Sequence, residues 1–164
     1  MASGEVDALF ARRDKLTLDD RLFVAEAAAL QGGDGVAKAR TILDEMTRSA
    51  HLDAATAHVA DGGDQGRWTT PVRSNALLVH VLLKAMPDHA LLPRLARWLM
   101  EQRRHDRWGT TQDNAWALRG LGAWMQAQDG TGAGGPVSVL LGGKQVGGGA
   151  LVAKTLQAVV VDIA

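Results

Sequence analysis

Cysteine is absent from this chain of 164 residues. That excludes a disulfide framework, a thiolate metal site and a cysteine nucleophile. Aromatic residues are few, at 4%. Charge of either sign is not in excess: 18 Lys and Arg stand against 18 Asp and Glu. A neutral chain lacks the concentrated basic face that nucleic acid demands, so no nucleic-acid partner is expected. No long apolar run exists either. The longest, Ala76 to Leu83, is broken by His80 and is too short to enter and cross a bilayer, so this segment is not expected to insert into a membrane. The opening MASGEVDALF has no positive start and no apolar core, so no targeting signal is read in it. Among His51, His58, His80, His89 and His105 no pair has the His-x-x-x-His spacing of two ligands on one helical face. His80 reads as a hydrogen-bonded core histidine. No metal, no cofactor and no catalytic residue is expected.

What is present is helical periodicity, in two kinds. Leu92, Leu95, Ala96, Leu99 and Met100 form an apolar stripe opposite Arg94, Arg97, Glu101 and Arg104, which predicts a surface helix. The helix that follows starts at Thr110 or Thr111, with Asp113 and Asn114 in its first turn. Beyond them the only charge is Arg119, which predicts a helix buried on all sides. The same two kinds alternate upstream. Thr17 with Asp20 opens a run of apolar residues broken only by Glu26 and stopped by Gly32-Gly33. Asp34 is expected to cap an amphipathic helix carrying Val36, Ala39, Ile42, Leu43 and Met46. Thr70 and Pro71 open a third apolar helix, interrupted only by His80 and Lys84. A short helix around Val6, Leu9 and Phe10 precedes them all. The stretch from Ala50 to Gly66 is read as a loop with a short hairpin ending at Arg67-Trp68.

The order is buried, surface, buried, surface, buried, and an internal echo runs through it. Arg67-Trp68-Thr69-Thr70 with Asn75 matches Arg107-Trp108-Gly109-Thr110-Thr111 with Asn114, Trp68 and Trp108 lying 40 positions apart. Repeated hairpins of this kind build α/α toroids and α-solenoids. After Gln128 the character changes: DGTGAGG is linker chemistry, Pro136 to Leu141 is strand-like, Gly142-Gly143 signals a tight turn, and Ala150–Ala153 and Leu156–Ile163 alternate as strands do. The expected fold is mainly α, a partial α/α toroid over residues 1–128, followed by a linker and an incomplete β segment over 129–164.

The run Arg97-Trp98-Leu99, Gln102-Arg103, Trp108-Gly109-Thr110-Thr111-Gln112-Asp113, Ala117-Leu118 and Leu121 resembles a helical hairpin in the thioester domain of the alpha-2-macroglobulin and complement family, most closely its bacterial members. The resemblance extends more weakly over LTLDDRLFVAEAAAL and RWTTPVRSNALLVHVLL. It implies the C-terminal half of a toroid, with the strands after Gly135 returning to a CUB-like β domain. It implies a parent that traps target proteases in the periplasm or at the cell surface. The family's thioester joins the Cys and Gln of a Cys-x-Glu-Gln motif; with no Cys here, covalent capture by this polypeptide is excluded. The chain's role would be scaffolding and docking against neighbouring domains of the parent, with Trp108, Gly109, Thr111, Gln112, Asn114 and Trp116 as structural motif residues. An open seam on the outermost apolar helices would favour a homodimer of the isolated chain.

Other readings rest on fewer residues. Asp19-Asp20 and Asp113-Asn114 stand at helix starts, where toroid enzymes acting on terpenoid, prenyl or polysaccharide substrates place acids; capping and the helix dipole already favour acids there. A stand-alone helical-repeat binding module is a third reading. Arg94, Arg97, Arg103, Arg104 and Arg107 form a basic patch, read as a solvated outer face or as a docking surface for an acidic partner domain.

Overall fold

A computed structural model describes residues 3–60, 69–128 and 135–151. The described residues are mainly helical. The elements are α1 (Ser3–Ala11), a 3-10 turn (Arg13–Lys15), α2 (Leu18–Gln31), α3 (Asp34–Arg48), β1 (His51–Leu52), β2 (Ala57–His58), α4 (Pro71–Ala85), α5 (Leu92–Glu101), α6 (Thr111–Gln128), β3 (Gly135–Leu141) and β4 (Lys144–Leu151). The chain divides into two compact units, Met1–Trp124 and Met125–Ala164.

Helix starts follow the expected chemistry. The Thr17 hydroxyl oxygen accepts from the Asp20 N–H at 3.2 Å, and its proton goes to the Asp20 carboxylate at 2.7 Å. Thr70 accepts from the Arg73 N–H at 3.1 Å, with Pro71 in the first turn, where its missing N–H costs nothing. Thr110 accepts from the Asp113 N–H at 3.1 Å. Thus α2, α4 and α6 share one N-terminal device, a threonine satisfying the third free N–H of the helix. Asp34 departs from expectation. It is the first helical residue of α3, and the N-cap is Gly33, whose φ of 50° lies where glycine carries no Cβ penalty.

The core of the first unit is built on α4. Leu77, Leu78 and Leu82 are fully buried, packed among Leu22 of α2, Ile42 and Leu43 of α3, and Leu95 and Leu99 of α5. α4 packs against α2, α3 and α5, and α2 against α1 and α3. Burial of four or more leucine-sized side chains, at about 1.5–3 kcal/mol each, makes this the chief apolar contribution to stability. α6 approaches α4 through Gly120, where a Cβ would lie 2.6 Å from the Ala76 carbonyl oxygen. Only glycine permits that approach.

Two apolar helices are less buried than their patterns predicted. In α6 the buried residues are Asp113, Ala117, Gly120 and Leu121, whereas Leu118 is 63% exposed and Met125 57%. Leu30, at the end of α2, is 70% exposed, and Phe23 and Trp116 are half-buried. The reason is one-sided packing: α6 turns its Ala117–Gly120–Leu121 side to the helices and leaves the Leu118 side to solvent. Arg40 and Arg97 are exposed, as their positions on amphipathic faces required; Arg104, expected on the same face as Arg97, is exposed in the turn beyond α5, which ends at Glu101.

The hairpin in the 50–66 loop also lies elsewhere than expected. It pairs β1 with β2, in the register His51↔His58 and Leu52↔Ala57, well short of Arg67-Trp68. Residues 61–68 lie outside the described residues. The rings of His51 and His58 stack at 5.1 Å, and His58 stacks on Trp98 at 5.0 Å, which seats the hairpin against α5.

The described part of the second unit beyond α6 is a hairpin. β3 and β4 pair antiparallel around Gly142 and Gly143, whose φ values of 58° and 80° suit the left-handed turn that matches strand twist. The return strand is Lys144–Leu151, earlier than the alternation at Ala150–Ala153 suggested; Leu156–Ile163 lies outside the described residues.

The contrast between Leu78 and Leu118 is measurable. Leu78→Ala is expected to cost roughly 2–5 kcal/mol in urea unfolding as a cavity mutation. Leu118→Ala, in solvent, is expected to cost below about 0.5 kcal/mol. Equal losses would mean that the exposed side of α6 is covered in solution.

Candidate functional site

α2, α4 and α6 are joined by polar side chains at two levels. The first lies at their N-terminal ends. The Thr70 hydroxyl donates to Asp113, whose other carboxylate oxygen accepts the Thr110 N–H at 2.8 Å. One buried carboxylate therefore links the N-caps of α4 and α6. Asp19 of α2 accepts from the Ser74 hydroxyl at 2.5 Å and pairs with the Arg73 guanidinium at 3.2 Å. Arg73 also donates to Gln112 at 3.3 Å and lies 5.9 Å from the Trp116 ring.

The second level is a charged cluster. Glu26 Oε1 takes Lys84 Nζ at 2.6 Å, His80 Nε2 at 3.1 Å and Arg119 at 3.2 Å. Arg119 also lies 3.0 Å from His80 Nε2 and 5.0 Å from the Trp116 ring, against which Phe23 packs edge-on at 6.0 Å. Burial works to raise the Glu26 carboxyl, but the bond from Lys84 and the charges of Lys84, His80 and Arg119 outweigh it and hold the group below its usual range. Burial lowers His80, reinforced by the positive charges of Arg119 and Lys84 and opposed by Glu26. At neutral pH the carboxylate is charged and the imidazole neutral.

The echo noted between the two Asn positions has a physical basis. Asn75 accepts from the Val59 N–H and donates to the Val59 carbonyl, each at 2.9 Å, and donates to the Pro71 carbonyl at 2.8 Å. Asn114 accepts from the Trp108 N–H at 3.1 Å and donates to the Trp108 carbonyl at 2.9 Å and the Thr110 carbonyl at 2.6 Å. Each amide pairs both backbone groups of one residue in the preceding loop and the carbonyl four residues back. Val59 and Trp108 are the loop residues so clamped; Trp68, the echo's other tryptophan, lies outside the described residues.

The other motif residues take separate tasks. Trp108 is 5% exposed and donates its ring N–H to the Leu99 carbonyl at 2.7 Å. Gly109 passes beside the Asp113 carboxylate, Thr111 is exposed at the start of α6, and Gln112 receives Arg73. The five arginines differ in their settings. Arg94 donates to the Ala54 carbonyl at 3.2 Å, and Arg97 is exposed on α5. Arg103, Arg104 and Arg107 lie in the α5–α6 turn. There Arg104 and Arg107 exchange backbone hydrogen bonds at 2.9 and 3.2 Å around His105 and Asp106. Those two non-glycine residues have φ of 49° and 64°, in the left-handed region that Asp and His tolerate better than most. Arg103 pairs with Asp106 at 3.0 Å.

Glu26, Lys84 and Arg119 were not singled out by motif. Their signal was solitude: each interrupts an otherwise apolar helix, and a charge there needs a partner. Among the described residues no group of His, Asp and Glu is arranged to hold a metal ion, and no helix is long and apolar enough to cross a membrane. Comparison with protein families, curated proteins and solved structures gives no match for this chain.

Removing the amide clamps is expected to leave buried backbone groups unpaired, at about 1–3 kcal/mol for each group lost. Asn75→Ala, fully buried, should destabilise more than Asn114→Ala in urea unfolding. Losses below about 0.5 kcal/mol for both would remove the clamps from the account of stability.

Proposed function

We propose that this chain is a non-catalytic part of an alpha-2-macroglobulin-like protease trap: the C-terminal half of a thioester-type α/α toroid with the start of a CUB-like β segment. The observation that carries the reading is the repeated unit at α4 and α6, a threonine-capped inner helix whose asparagine clamps the preceding loop. Alternation of these helices with amphipathic α3 and α5 supports it, as does the Trp108–Gln112 turn that carries the resemblance. Its role is scaffolding and docking, with Arg97, Arg104 and Arg107 exposed toward an acidic neighbouring domain. The parent acts in the periplasm or at the cell surface.

The toroid-enzyme alternative needs carboxylates free to meet a substrate. Asp19 and Asp113 are buried and already bonded, to Ser74 and Arg73 and to Thr70 and Thr110. The repeat also suits a stand-alone binding module, and a trapping assay separates the two. With the parent protein present, a target protease should keep cleaving a small chromogenic peptide while losing protein-sized substrates. Undiminished cleavage of both would overturn the trap reading. The chain by itself, lacking Cys, should show no mass increase after methylamine or active protease. A covalent adduct would contradict its non-catalytic assignment.

A further inference from the structure

Of the three threonine-capped helices, α6 is held least by apolar burial. Its buried apolar side chains among the described residues are Ala117 and Leu121, whereas α4 buries Leu77, Leu78, Val79, Val81 and Leu82 among others. Polar ties therefore carry a larger share of its attachment. One is Asp113 at the N-terminal end. The others are Gln112, which accepts from Arg73, and Arg119, in the cluster with Glu26 and His80.

We propose that Glu26, His80, Lys84 and Arg119 form an acid-released latch, closed while the His80 ring is neutral and opened, with α6 loosening from α2 and α4, when that ring takes a second proton. The groups facing the ring are Glu26 from α2, Lys84 from its own helix and Arg119 from α6. In the neutral ring one nitrogen carries the proton: on Nε2 it is donated to Glu26, and on Nδ1 it leaves Nε2 free to accept from Arg119. A second proton makes both nitrogens donors, so Nε2–H opposes the Arg119 guanidinium while Nδ1, a buried atom with no hydrogen-bond partner among the described residues, holds an unpaired N–H, which is costly. It also sets three positive charges against the one carboxylate of Glu26. Lys84 and Arg119 both reach partly into solvent and can turn outward. When Arg119 does so, α6 loses its tie to Glu26 and His80, whereas Lys84, on the same helix as His80, ties no part of α6. The proposal does not depend on the protease-trap reading.

The direction follows from linkage. His80 is held below its ordinary value in the folded state, so the latch is at full strength above the ordinary histidine value of about 6.5. It weakens as pH falls below that value and stops weakening once pH passes the lowered one. Glu26 titrates lower and stays charged through this window.

Hydrogen exchange of the whole chain at pH 7.5 and 5.5, corrected for intrinsic rates, tests the proposal. The opening constant for amides 117–124 of α6 should rise at the lower pH, by about tenfold for each unit that His80 is held down. Amides 77–82 of α4 should keep their protection. His80→Gln keeps a donor toward Glu26 but cannot titrate, so α6 should stay protected and its pH response should vanish. Arg119→Gln, at an exposed position that folding tolerates, should loosen α6 at both pH values and flatten the response. An α6 equally protected at both pH values would overturn the latch. So would a pH response that survives in His80→Gln or in Arg119→Gln, or an equal loss of protection in α4.

Discussion

A polar group taken out of water must find a partner in the protein, and that requirement organises the helices of this chain more than any single apolar contact. α2, α4 and α6 are too apolar to stand alone, yet each carries a few polar side chains toward its neighbours. Asp19, Ser74, Asn75 and Asp113 are almost wholly buried, and each is answered from another helix or from the preceding loop. A leucine core sets how tightly the helices pack. The polar pairs set which helix faces which, because a shifted helix would strand a carboxylate or an amide.

The asparagine clamp shows how such a constraint becomes a repeat. An amide side chain offers one acceptor and two donors, enough to satisfy the N–H and C=O of one loop residue and a helical carbonyl besides. Asn75 and Asn114 both do this, so a residue of the loop entering each helix is pinned to the helix's opening turns. The incoming loops differ: one follows a hairpin stacked on Trp98, the other a left-handed turn at His105 and Asp106. The clamp imposes a common geometry on unlike sequences. This supports a toroid of repeated hairpins as the architecture we propose.

Several charges are engaged between helices. Asp19 and Asp113 are spent between helices, and Arg73 lies between Asp19 and Gln112. Glu26 answers three donors at one oxygen. Among the sequence-named arginines, Arg97, Arg103, Arg104 and Arg107 are exposed, the last three on a turn whose backbone is cross-bridged. The scaffolding and docking role we propose draws on that division between engaged charge and exposed arginines.

The helices themselves were legible in the sequence. Thr17, Thr70 and the pair Thr110-Thr111 announced the starts, Gly32-Gly33 and Gly142-Gly143 the breaks, and the arginine face of α5 its exposure, because capping, turn conformation and amphipathic period act over a few residues. Burial of α6 was not legible. An all-apolar helix can be covered on one side or on every side, and only its neighbours decide; here Gly120 against Ala76 turns Leu118 outward. The partner of Asn75 was hidden too, since a clamp acts on a loop residue chosen by the fold and not by a fixed offset. Glu26, His80, Lys84 and Arg119 each showed in the sequence as a lone polar break in an apolar run. That they meet was decided by tertiary structure, since side chains up to 93 positions apart share one carboxylate oxygen only when three helices lie side by side.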